Sequence, residues 1–288
     1  MSNVAIMADS VACIPRDLAQ QYNITVVPAA HISVNGNEFI DGVTLNATEA
    51  YELIKKDPDR FVTSAIAPDY ILKVFEELSQ SADTILFITI ASALSAVCRT
   101  AALAADLLHE KQPDVRIRIV DSRACGSTEG MVVLAAAKAA AQGKGLDETA
   151  VIAEKARDKT GGIMMLDTLR YVYRTGRMSK TASRIASAFN IKPINRLTDN
   201  GTIELIDRSR KVEDGIKRLV NAVAEQAGTD SLHFMITHAA APENADNLAG
   251  ELKKRFNCLS MLVSDYSPVM GYGAGPGALF VGFHPELD

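Results

Sequence analysis

Through the first half of the chain, short apolar runs alternate with stretches in which apolar residues recur every three or four positions. That alternation predicts strands interleaved with helices, the layered α/β arrangement. The runs "NVAIMAD", "ITVVPAA", "TILFITI" and "VRIRIVD" are rich in Ile and Val and read as strands. Helices are expected in "IPRDLAQQYN", "PDYILKVFEELSQS", "SAVCRTAALAADLLHEK" and "STEGMVVLAAAKAAAQG". Three of the strands end in "ADS", "ITIAS" and "VDS", which puts Ser10, Ser92 and Ser122 near carboxyl ends of strands. In open parallel sheets that edge is where ligands bind.

A helical stretch "DETAVIAEKARDKTG" leads to Gly161-Gly162, where a domain boundary is expected, dividing the chain into residues 1–160 and 161–288. The second half has its own strands in "IMMLDTL", "GTIELIDRSRK", "LHFMITH", near 258 to 264 and at 279 to 283, with helices in "DGIKRLVNAVAEQA" and "PENADNLAGELKKRF". Two α/β domains with a cleft between them follow as the most economical reading.

Composition narrows the function. With 30 Lys+Arg against 35 Asp+Glu there is no global basic field to recruit nucleic acid. Cys13, Cys98, Cys125 and Cys258 form no CxxC pair, and the five histidines show no ligand spacing, so no metal and no cofactor is expected. The start "MSNVAIMADS" lacks a basic region followed by an apolar core, and no apolar run approaches the about 20 residues a membrane span needs. A cytoplasmic protein is expected.

The stretch "GYGAGPGAL" at residues 271–279 satisfies a relaxed dinucleotide fingerprint from Gly273. That fingerprint needs a following helix and a distant acid, and here an apolar, strand-like run ends at Pro285 instead. Asp9-Ser10 and Asp121-Ser122 read first as helix caps. Thr63 with Ser64, and Ser92 with Ser95, precede helices, where hydroxyls either cap or meet an anion; the residues alone leave both open. Arg170, Arg174, Arg177, Lys180 and Arg184 form either a solvated helix face or a docking surface for an acidic partner. No nucleophile elbow or other catalytic constellation is present.

Taken in order, these segments resemble the DegV family of bacterial fatty-acid-binding proteins. The resemblance runs through "ADS", "TSAIAP", "ASALSAVCRTA", "VDS", "LDTLRYVYRTGRMS", "IKPI", "DNGTIE", "RSRK" and "PVMGYGAGPGAL", nearly the whole chain. It implies a parallel-sheet N-terminal α/β domain, a C-terminal α/β domain with a mixed sheet, and one long-chain fatty acid held at their junction. It further implies a non-catalytic role as the acyl-carrying subunit of a fatty acid kinase, presenting the carboxylate to an ATP-binding partner. Site residues carried over by the resemblance are Thr63, Ser64, Ser92, Tyr272, Gly273 and Gly275 for the ligand, with Arg177 and Arg210 for partner docking.

Two departures stand out. The family's paired serine is Ala91 here, and the histidine of its glycine-rich segment is Gly273. Losing a hydrogen bond to a charged group costs roughly 1.5–3 kcal/mol, so a carboxylate site would survive weakened. Three readings remain open at this stage: a fatty-acid carrier that docks to a kinase, a lipid carrier for a bulkier or less acidic ligand, and a phosphoryl-transfer enzyme. Against the last stands the lack of a Walker loop or acidic metal cluster. Tyr272 would supply a neutral phenolic donor if it faces the ligand.

Overall fold

The computed structural model describes residues 4–177 and 191–287. Lys180 and Arg184 of the arginine-rich segment lie outside these described residues. Along the chain run β1 (Val4–Asp9), α1 (Arg16–Gln21), β2 (Ile24–Val27), β3 (Ala30–Val34), β4 (Asn37–Ile40), α2 (Ala47–Lys56), β5 (Phe61–Ala65) and α3 (Pro68–Leu78). Next come β6 (Thr84–Thr89), α4 (Val97–Lys111), β7 (Arg116–Asp121), α5 (Gly126–Ala141) and α6 (Leu146–Lys159). The chain continues with β8 (Gly161–Met165), α7 (Arg170–Thr175), β9 (Lys192–Leu197), β10 (Ile203–Ser209) and α8 (Val212–Ala227). It closes with β11 (Ser231–His238), α9 (Pro242–Arg255), β12 (Asn257–Asp265), α10 (Pro268–Ala274) and β13 (Leu279–His284).

A parallel four-stranded sheet in the order β2-β1-β6-β7 forms the first layer. Its central strands are buried on both faces, which is why they read as unbroken apolar runs. Side chains alternate between faces: Met7, Ile85 and Phe87 join Ile71, Phe75 and Ala101 of α3 and α4. Ile6, Leu86 and Ile88 meet Val132, Val133 and Ala153 of α5 and α6 on the other face. The second large sheet has six strands in the order β10-β9-β8-β13-β11-β12, and only β11 and β12 run parallel. Helices α8 and α9 cover one face through Leu219, Val223, Leu248 and Leu252.

Helix α5 lies between the two sheets, and residues 126–134 are buried all round, as expected of a helix with no solvent face. Its approach is close enough that a Cβ on Gly130 would lie 2.6 Å from the carbonyl oxygen of Ala12. The two sheets are therefore welded through one helix.

Two features near the cavity differ most from the sequence-based expectation, and α2 and β9 were also not expected. Residues 30–65 contain a third, antiparallel sheet in the order β4-β3-β5, for which no strands had been expected. Its hairpin closes on Asn35-Gly36, whose φ angles of 52° and 81° are the pair a tight two-residue turn needs. The first part of the glycine-rich stretch, for which no helix was expected, is the end of helix α10, which starts with Pro268 at its first position. Only after Ala274 does the chain turn, through Gly275 and Gly277 at φ 83° and 88°, into β13.

Candidate functional site

A cavity of about 210 Å³ opens where the ends of the parallel strands meet the six-stranded sheet and α10. Val11 after β1, Ile90 and Leu94 after β6, and Cys125 before α5 contribute from one side; Met164, Leu166, Val172 and Ile203 contribute from the other. Val269, Met270 and Ala274 of α10 close it. Met164 and Met270 can repack around an elongated guest more readily than branched residues. Polar character comes from hydroxyls, chiefly Thr63, Ser64, Ser95, Thr175 and Tyr272. Among the described residues, Arg177 is the one charged side chain on the lining.

Five of the eight residues singled out from sequence border this cavity: Thr63, Ser64, Tyr272, Gly273 and Arg177. Thr63 and Ser64 sit in edge strand β5, and α3 starts after Ala67 with no side-chain cap, so neither hydroxyl is spent on that helix. Arg177, expected at a docking surface, is exposed and at the same time part of the cavity wall. Its Nε donates to the carbonyl of Leu94 at 3.2 Å, which fixes the guanidinium beside Ser95.

Ser92, Gly275 and Arg210 do not line the cavity. The Ser92 N–H donates to the Asp121 carboxylate at 3.2 Å and the residue is exposed, while Ser95, three positions on, borders the cavity. Gly275 has a supporting place: a Cβ there would sit 2.0 Å from Cδ2 of Tyr171. Arg210 is exposed in the turn between β10 and α8.

Helix α10 is held down by groups from the N-terminal half. Asp41 Oδ1 accepts the N–H of Val269 at 3.0 Å, and the Asp41 Oδ2 accepts the Ser10 hydroxyl. The Tyr51 hydroxyl donates to the carbonyl of Tyr266 at 2.8 Å. Tyr272 stacks on Phe61 with ring centroids 5.1 Å apart, and the Arg174 guanidinium carbon lies 5.4 Å from the Tyr272 ring centroid as a cation–π partner. Arg174 in turn donates to the Pro58 carbonyl and to Asp59. Among residues around the tyrosine, no sequence pattern signals this clamp, because its parts come from three distant segments.

Buried acids stand behind the cavity. Asp9 accepts the N–H groups of Val11 and Ile90, both lining residues, at 3.0 and 2.7 Å. Burial pushes its carboxyl up to about 7, against the lowering by those two donors. Burial likewise raises Asp41 to about 6. Glu129 is pushed well above the usual carboxylate range by burial and by the neighbouring charge of Asp9. Burial also pushes the Cys125 thiol up, so it lines the cavity as a small apolar group rather than a nucleophile.

Comparison with known proteins places this geometry. The model of the DegV family, "Uncharacterised protein, DegV family", matches residues 3–286. A DegV domain-containing protein of Caldanaerobacter subterraneus subsp. tengcongensis is 30% identical over 288 residues, covering 99% of this chain and 100% of its own. Among solved structures, the fold is similar to a DegV family protein of Thermus thermophilus described for its fatty acid binding, with TM-score 0.89 and 23% identity over 99% of this chain and 100% of that one. It is also similar to the fatty acid kinase B3 protein of Streptococcus pneumoniae loaded with linoleic acid, with TM-score 0.86 and 21% identity over 99% of this chain and 100% of that one.

Proposed function

The chain belongs to the DegV family, and on that premise we propose that it is a non-catalytic carrier of one long-chain fatty acid. The acyl chain occupies the cavity and the carboxylate meets Arg177 at its wall. The observation that carries this reading is the lining itself, which among the described residues is apolar except for hydroxyls and a single guanidinium. That composition suits an apolar body ending in one negative charge. Each buried methylene contributes about 0.8 kcal/mol, so a long tail supplies most of the affinity and the headgroup supplies orientation.

Thr63 and Ser64 are the proposed neutral donors, with Ser95 taking the place given to Ser92 by resemblance. Tyr272 and Gly273 bound the ligand from α10, while Gly275 acts through the turn that follows. The Thermus and Streptococcus structures support a fatty acid as the ligand. The Streptococcus protein's name supports a further step: the loaded acid is presented to an ATP-binding kinase partner, docking through Arg177 and Arg210. Protein freed of lipid should bind oleate much more tightly than the matching alcohol, oleyl alcohol. Equal affinity for acid and alcohol would remove the carboxylate reading.

A further inference from the structure

A second cavity, of about 480 Å³, lies on the far side of α5, between that helix, α6 and the strands β11 and β13. It shares no lining residue with the first. Small-molecule sites occupy about 300–1,000 Å³, so this volume is in range. His233 and His284 are direct register partners on β11 and β13, and their rings stand 5.1 Å apart on one face. Lys138 from the last turn of α5 lies near His284 on the same lining, and Lys144 and Lys155 of the α5–α6 region complete the wall.

The charges do not cancel. Lys144 pairs with Glu148, and Glu286 lies 3.2 Å from His233 Nε2, whose Nδ1 meets the Ser260 hydroxyl. Lys138 and Lys155 are exposed and have no ion-pair partner among the described residues. Crowding cations around two imidazoles is unfavourable unless an anion joins them. Burial, chiefly, with His233 and Lys138 holds His284 below the ordinary imidazole range, against raising by the Pro285 carbonyl that its Nδ1 meets and by Glu286. The floor is apolar, made by Met131, Leu134, Ile152 and Leu262.

We propose that this second cavity binds an amphipathic anion, a phosphate or carboxylate headgroup held by Lys138, Lys155 and Nε2 of His284, beside the already partnered His233 ring, with its short apolar body on the Met131–Leu262 floor. Octyl phosphate serves as the probe, with the imidazole resonances of His233 and His284 as local reporters, read at about pH 6.5 near the ordinary histidine value. Saturable shifts of both histidines, with the His284 titration moving to higher pH, are the expected result. Lys138→Gln and Lys155→Gln should each weaken the probe by about tenfold, as loss of a charged contact does. Inorganic phosphate should bind more weakly than octyl phosphate, and octanol should leave the histidine titrations in place. No shift with octyl phosphate, equal response to inorganic phosphate, or binding indifferent to both lysine variants would each overturn the proposal.

Discussion

The carboxylate of Asp41 accepts the backbone N–H of Val269 at 3.0 Å, joining groups 228 positions apart in sequence. Val269 is the second residue of α10 and lines the cavity, so an acid from the N-terminal half satisfies a helix-end donor of the lid. The same carboxylate takes the Ser10 hydroxyl, which in turn accepts the N–H of Ala29 at 3.0 Å. The position of α10 against the cavity is therefore set by a chain of hydrogen bonds rather than by the helix's own propensity.

Removing that link should loosen the lid. Asp41→Ala is expected to lower stability by about 1–3 kcal/mol, since it strands a half-buried N–H and a buried hydroxyl. Urea denaturation measures the loss, and stopped-flow release of a fluorescent fatty acid should be faster in the variant. An unchanged release rate in a folded variant would show that α10 does not gate the cavity.

Restoring an imidazole at position 273 should strengthen headgroup binding. A Cβ on Gly273 meets nothing within 4 Å, and the residue borders the cavity, so the side chain has room. Gly273→His is expected to tighten fatty-acid binding by about tenfold, the worth of one hydrogen bond to a charged group, and to leave alcohol binding unchanged. Calorimetric titration of both ligands decides it; weaker acid binding by a folded variant would point to a different headgroup.

The buried acids make stability depend on pH in a definite direction. Asp9 and Asp41 are raised to about 7 and about 6, and Glu129 is raised as well, all chiefly by burial. Raised folded-state values mean that the fold prefers the protonated forms. Their contribution is full below the unfolded carboxylate range of about 4 and is lost as pH rises through about 7. The urea midpoint should therefore fall from about pH 5 to about pH 8, and Glu129→Gln should flatten that fall by removing one of the three groups. A midpoint that rises across this window in the wild-type protein would contradict the assignment.

Two alanine substitutions separate a required glycine from a replaceable one. Gly275 has φ 83° and a Cβ would press on the Tyr171 ring, whereas Gly250 is helical with open space around it. Gly275→Ala should cost about 2 kcal/mol or more through backbone strain and the ring clash. Gly250→Ala should add about 0.5–1 kcal/mol from helix propensity alone. Thermal melts of the two variants in parallel give the comparison.

Much of this arrangement was legible in the residues. The Ile- and Val-rich runs of β1 and β6 announced strands, and "ADS", "ITIAS" and "VDS" pointed to the sheet edge where Val11, Ile90 and Leu94 line a cavity. The hairpin of β3 and β4 was missed although its signal was present: "HISV" and "NEFI" flank Asn35-Gly36, the strongest short hairpin cue. Helix α10 was hidden because glycines at 271 and 273 argue against a helix locally; packing supplies what propensity lacks, with Gly271 against the Tyr51 ring. Ser92 and Ser95 could not be separated by spacing, since the choice depends on the Asp121 carboxylate that takes the Ser92 N–H. Arg177 drew notice as a surface cation, but its place on the cavity wall follows from α7 folding over the loop after β6.

The most direct measurement is native mass spectrometry of the freshly purified protein with Arg177→Gln alongside, followed by extraction and identification of the bound molecule. One long-chain fatty acid is expected on the wild-type chain, with lower occupancy on the variant. A wild-type protein that carries a neutral lipid instead, or that fails to take up oleate when it is supplied, would contradict the carrier assignment.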